Sequence, residues 1–190
     1  MNAIAVYCGS NKGKNSKYVK AAENLGIYLA KNDIEIVYGA GNIGLMGVIA
    51  DAALGNNGKV TGVIPHFLKE KEVCHMELTH LFLVDSMHER KVEMTRLSDG
   101  AIILPGGFGT LDEMFEIITL VQLGQTKQPI GILNVDGFYD HLIAHMDRMV
   151  EEGFVIPEHR ALIYTSTDVD TLIKEMKAHQ FKEATKWINT

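Results

Sequence analysis

The run AIILPGGFGTLDE occupies residues 101–113, and its reading decides the fold. Four apolar residues give way to a proline, then to glycines at 106, 107 and 109, then to a threonine and two carboxylates. A short continuous apolar run followed by a glycine turn and a helical pattern is the strand–turn–helix of a βα unit. Glycines let the backbone turn sharply and expose several N–H groups, and a helix starting there adds unpaired amides and a positive dipole end. The stretch predicts a strand over 101–104, an anion-binding turn, and a helix over 110–123 with Thr110 as its N-cap.

The same alternation runs outward in both directions. Apolar runs at 3–8, 34–38, 60–64, 81–84, 130–133 and 161–164 read as strands. Helical spacing covers 16–31, 43–54, 86–98, 139–152 and 169–179, while 65–77 reads as a loop or short helix. Strands that alternate with helices, and that are apolar throughout, form a mainly parallel sheet buried on both faces. The expected fold class is therefore α/β: a Rossmann-like, doubly wound sheet with helices on both faces. At 190 residues with no linker or repeat, one catalytic domain over 1–180 is expected, followed by a tail over 181–190 that Trp187 can anchor.

Composition narrows the function. A formal charge of −6 argues against a nucleic-acid or polyanionic-membrane partner but leaves room for a local anion site. No apolar run spans a bilayer, and MNAIAVYCGS lacks the basic start of a signal peptide. Cys8 and Cys74 form no CxxC pair and suit free thiols in a reducing compartment, so a cytoplasmic location is expected. His141 and His145, in the run HLIAH, have no nearby acid–histidine cluster, and no metal site is expected.

Three glycine-bearing turns follow strand ends: Gly9, the stretch 38–47 (YGAGNIGLMG), and 106–109. In an open parallel sheet all three lie on the carboxyl edge, where ligands bind. Residues 39–44 fit GxGxxG, but the region some twenty residues on, KVTGVI at 59–64, lacks the ribose-binding acid of a dinucleotide site. No GxxxxGK[ST] occurs either, so a mononucleotide fits better than NAD or a triphosphate. Thr110 and Glu113 also match a capping box, which would tie Glu113 to the helix start. Arg90 and Lys91 are adjacent on a predicted helix and diverge by about 100°, so one can face a site while the other faces solvent or a neighbouring subunit.

Together PGGFGTLDE (105–113), MHERK (87–91), YGAGNIGLMG (38–47) and CGS (8–10) resemble the Lonely-Guy family of cytokinin-activating phosphoribohydrolases, often labelled lysine decarboxylases. The order and spacing extend from Ala3 to about Lys177. The resemblance implies hydrolysis of a nucleoside 5′-monophosphate, AMP or an N6-modified relative, to free base and ribose 5-phosphate. It implies a homodimer or higher homo-oligomer, a small-molecule substrate, and no cofactor or metal. Carried over by position, Arg90 and Glu113 are the catalytic pair. Gly9, Ser10, Gly41, Met87, Lys91, Gly106, Gly107, Gly109 and Thr110 contact substrate or phosphate. Ala40 departs from the family's usual third consecutive glycine, and 68–81 is expected to border the base. The alternative is a mononucleotide or cofactor carrier that binds without chemistry, since related carriers share the PGGxGT loop.

Overall fold

A computed structural model describes residues 1–69 and 74–181. Within it the chain alternates strand and helix: β1 (Ala3–Tyr7), α1 (Ser16–Lys31), β2 (Glu35–Tyr38), α2 (Gly44–Leu54), β3 (Val60–Pro65) and the short α3 (His66–Lys69). There follow β4 (His80–Val84), α4 (Met87–Arg96), β5 (Ala101–Ile103), α5 (Phe108–Gln122), β6 (Ile130–Leu133), α6 (Asp140–Glu151), α7 (Pro157–Arg160), β7 (Ile163–Ser166) and α8 (Val169–Lys177). The seven strands form one sheet in the order β4-β3-β2-β1-β5-β6-β7, and every pairing is parallel. Strand order reverses between β1 and β5, which makes the crevice above their carboxyl ends the place for a ligand.

Alternation along each strand feeds two cores. Ile4, Val6 and Cys8 join Ile36, Tyr38, Ile102 and Leu104 under α1, α2 and α8. Ala5, Tyr7, Val37, Ala101 and Ile103 point the other way, under α4, α5 and α6. The central strands are buried on both faces, as their continuous apolar runs require. The edge strand β4 differs, with Leu81, Phe82 and Leu83 each more than a third exposed.

Two expected elements shift. The last strand begins two residues later than 161–164, because Pro157 opens α7 and carries the chain as far as Ala161. Edge pairing needs only main-chain groups, so Thr165 and Ser166 extend the ladder without an apolar run. Helix α5 starts at Phe108 with Gly107 as its N-cap, two residues before Thr110. Its buried side chains are Thr110, Met114, Ile117 and Val121, whereas in the neighbouring stripe Leu111 and Ile118 are only partly buried against the same core and Phe115 is more than a third exposed. Both stripes are apolar, so periodicity alone could not choose between them. The proposed tail anchor Trp187 lies outside the described residues.

Candidate active site

Gly9 ties the three glycine turns together. Its N–H donates to Pro105 O at 3.0 Å, and its carbonyl accepts from Leu45 N–H at 3.0 Å. The end of β1 is thus bonded to the end of β5 and to the start of α2. Tyr139 Oη donates to Leu104 O at 2.8 Å and steadies the last residue before the 105–109 turn.

Above this junction lies a cleft of about 310 Å³, at the lower end of the range for ligand sites. Ser10, Met87, Arg90, Gly107, Gly109, Thr110 and Glu113 line it, joined by Gly39, Met46, Leu68 and Phe108. One wall is the first turn of α5, where the amides of Phe108, Gly109 and Thr110 have no carbonyl ahead of them in the helix. A Cβ on Gly107 or Gly109 would meet nothing within 4 Å, so both glycines open onto free space. Gly106 is required for another reason: a Cβ there would fall 2.1 Å from Thr110 Oγ1.

The capping box does not form at α5. With the N-cap at Gly107, Thr110 is the third helical residue and is buried against Gly106, while Glu113 sits one turn beyond the helix start. That turn carries the Glu113 carboxylate into the cleft, where its side chain is 12% exposed. A side-chain cap occurs instead at α4, in a variant form. Ser86 Oγ accepts from Glu89 N–H at 3.1 Å, and the Glu89 carboxylate accepts from Asp85 N–H at 2.8 Å.

That cap sets the rotation of α4 and so the aim of the basic pair. Arg90 turns inward, with its side chain 9% exposed. Its guanidinium has weak company: Met87 Sδ at 3.8 Å from Nη1, Glu113 Oε1 at 3.9 Å from Nη2, and nothing for Nε. A buried cation with unspent donors needs an acceptor from elsewhere. Lys91 turns the other way and is not brought to the cleft. Its Nζ lies 3.0 Å from Asp112 Oδ2 and 2.8 Å from Glu116 Oε2. It thereby offsets the two acids that flank Glu113 and would otherwise repel an anionic ligand.

Burial pushes the Glu113 carboxyl up to about 7, against the pull of Arg90 and with a further push from Asp112. Cys8 lines the cleft floor, and burial raises its thiol far above the thiolate range, which removes it as a nucleophile. Gly41 is not among the residues that line the cleft; it packs under one that does, since a Cβ there would strike Met46 Cε at 2.6 Å. Met46 and Gly39 were not singled out in the sequence, although both belong to the YGAGNIGLMG turn. Of the stretch expected to border the base, Leu68 lines the cleft, and residues 70–73 lie outside the described residues.

A family model described as "possible lysine decarboxylase" matches residues 46–176. The chain is 44% identical over 176 residues to the cytokinin riboside 5′-monophosphate phosphoribohydrolase LOG of Oryza sativa subsp. japonica, covering 93% of this chain and 73% of that protein. It is 43% identical over 176 residues to the Arabidopsis thaliana enzyme of the same name, LOG3, covering 93% and 82%. Among solved structures it is similar to the molybdenum cofactor carrier protein of Chlamydomonas reinhardtii. That match has a TM-score of 0.71 at 17% identity, covering 93% of this chain and 98% of the other. A molybdenum cofactor binding protein from Rippkaea orientalis matches with a TM-score of 0.69 at 18% identity, covering 93% and 95%. Likeness at that identity concerns the fold alone.

Proposed function

Given that this chain belongs to the LOG family, we propose that it hydrolyses the N-glycosidic bond of a nucleoside 5′-monophosphate, releasing the free base and ribose 5-phosphate. The observation that carries this reading is one juxtaposition. A buried carboxylate, Glu113, faces a buried guanidinium with unused donors, Arg90, beside a helix start with open amides. Among the described residues lining the cleft none is a lysine that could form a decarboxylase's Schiff base.

The 5′-phosphate binds the amides of residues 107–110 with the Thr110 hydroxyl. Binding energy from that remote group fixes the sugar over Glu113. As the bond from C1′ to the base nitrogen stretches, positive charge builds on the ribose, and the Glu113 carboxylate stabilises it. Water adds to C1′ and passes a proton to Glu113, the bond's electron pair leaves with the base, and the base nitrogen takes up a proton, which restores the Glu113 carboxylate. Arg90 donates to the departing base or to the ribose and holds the nucleotide in register. Met46, Leu68 and Met87 form the apolar side of the cleft and suit a purine or its N6 substituent.

The carrier alternative has no observation in its favour. Phosphate binding gains nothing from a buried acid poised near neutrality beside the anion. The test is chromatography of AMP incubated with purified protein, with adenine and ribose 5-phosphate as the expected products. Glu113→Gln is expected to retain AMP binding and lose at least ~100-fold in kcat. A folded Glu113→Gln protein with near-normal turnover would remove Glu113 from the chemistry.

We also infer a homo-oligomer and a cytoplasmic location. No helix among the described residues is long and apolar enough to cross a membrane. The outer face of α5 exposes Phe108 almost fully and leaves Phe115 more than a third exposed. An apolar face of this kind on a helix that carries a site residue suits a second copy of the chain. Sedimentation of the wild type against a Phe115→Lys variant distinguishes dimer from monomer.

A further inference from the structure

Arg90 is placed by shape more than by bonds. Its nearest acceptors stand 3.8 and 3.9 Å away, and its Nε has none. What it does touch is Gly39: a Cβ built there would fall 1.6 Å from Nη2 and 2.8 Å from Cζ. The guanidinium therefore lies directly on the main chain of the turn between β2 and α2. Any displacement of that turn frees or moves Arg90.

The turn itself is not at rest in its own geometry. Ala40 has φ +61°, the left-handed region that a residue with a Cβ avoids. Such a conformation persists only where its surroundings over-determine it. Here the surroundings are residues 74–77. Cys74 bridges to Gly41 in antiparallel fashion, and His75 N–H donates to Ala40 O at 3.0 Å. The His75 ring is buried and anchored at both nitrogens: Nε2 lies 3.0 Å from Asp51 Oδ1 on α2, and Nδ1 accepts from Glu77 N–H at 3.2 Å. Because Nδ1 accepts, Nε2 carries the proton and donates to Asp51.

We propose that His75 is a positioning residue for the phosphoribohydrolase reaction. Spanning Asp51 and Glu77, it locks residues 74–77 over the strained Ala40 turn, and the turn in turn seats the Arg90 guanidinium. His75 touches no substrate and acts only through Gly39 and Arg90. Asp51, whose side chain is largely exposed, is the external end of the clip.

The inference rests on the phosphoribohydrolase reading for its effect on rate, but its structural half is read independently. The guanidinium Nε–H of Arg90 in ¹⁵N-labelled protein is expected as one slowly exchanging resonance, and His75→Ala is expected to shift it and speed its exchange. In AMP hydrolysis, His75→Ala is expected to lower kcat about tenfold or more, with KM within about threefold because the phosphate amides lie on another loop. Asp51→Ala, at an exposed position, is expected to give a smaller loss in the same direction and guards against misfolding of the first variant. His75→Gln, whose amide can reach Asp51, should recover part of the rate. In an Arg90→Ala background His75→Ala should cost no more than about twofold further, since both act through one group. An unchanged Arg90 resonance in folded His75→Ala, or a full additional loss in the Arg90→Ala background, overturns the proposal. A wild type that releases no free base from AMP or from N6-modified AMP, while His75→Ala still shifts the Arg90 resonance, overturns the reaction and leaves the clip standing.

Discussion

Two glycine turns meet over the same cleft and use glycine for opposite reasons. In the turn before α5, Gly107 and Gly109 have empty space where a side chain would stand. In the turn between β2 and α2 the space is already taken. A Cβ would fall 1.6 Å from Arg90 at Gly39, 2.6 Å from Met46 at Gly41, and 2.2 Å from the Ser10 backbone at Gly44, which also has φ +68°. The first turn is open for a ligand and the second is filled by the protein. One motif-like string of glycines marks a binding surface, and the other marks a close-packed joint that positions a cation.

The sharpest way to break this contrast is to add one methyl to each turn. Gly39→Ala must expel Arg90 and is expected to cost ~100-fold or more in kcat/KM, with about 1–3 kcal/mol of stability lost to overpacking. A crystal structure of that variant with Arg90 undisturbed would contradict the joint.

Acid should strike the site next, through Glu113. The proposed chemistry needs its ionised form, so kcat/KM should fall about tenfold per pH unit below about 7, where burial places the carboxyl. Stability should run in the opposite direction. With 4.5 in the unfolded chain and about 7 in the folded one, the native state holds the extra proton between those values. Glu113 therefore destabilises the fold progressively as pH rises through that window, by up to ~3 kcal/mol. At pH 8 Glu113→Gln should accordingly melt above wild type, by up to about 6–12 °C. Equal melting temperatures at pH 8 would mean that Glu113 is not desolvated.

A gentler change follows in the open turn. Gly109→Ala is expected to leave Tm unchanged or slightly higher, since a helix prefers alanine by up to about 1 kcal/mol. Its methyl would occupy phosphate space and raise KM for AMP about tenfold, whereas adenosine hydrolysis would be little affected. A large fall in Tm would put Gly109 in the same class as Gly39.

Ala40→Gly should have the smallest effect. It removes a buried methyl worth about 0.8 kcal/mol and relieves a left-handed conformation that costs about 1–2 kcal/mol, so urea denaturation should give a gain of less than about 1 kcal/mol. A clear loss would show that contact of the Ala40 side chain with Gly62 outweighs the strain.

Much of the fold was legible from apolar runs and glycine turns. The bounds of α1 matched, as did those of β6, because strand and helix patterns there end at strong punctuation. The site was legible in part. Glu113 and the 107–110 loop stood out from their spacing, whereas adjacency left open which of Arg90 and Lys91 enters the cleft, and only the family resemblance singled out Arg90. Two features misled. Thr110 followed by Glu113 reads as a capping box, yet the glycine at 107 begins the helix earlier and turns the acid into the cleft. The resemblance makes Lys91 a nucleotide-contacting cation, yet one 100° step along α4 directs it to Asp112 and Glu116. His75 gave no signal, because its partners Asp51 and Ala40 are distant in sequence and only the folded chain brings them to it.

The order of residues by itself determined the alternation of strands and helices, and with it the parallel sheet and the edge on which the glycine turns gather. Those properties follow from local periodicity and from turn chemistry, which act over a few residues. Only the tertiary structure decided which glycines open onto space and which are filled, which of two adjacent basic side chains enters the cleft, and that a carboxylate is buried enough to titrate near neutrality. Each of those depends on atoms that the chain brings together from far apart, and burial and close contact exist only once it has folded.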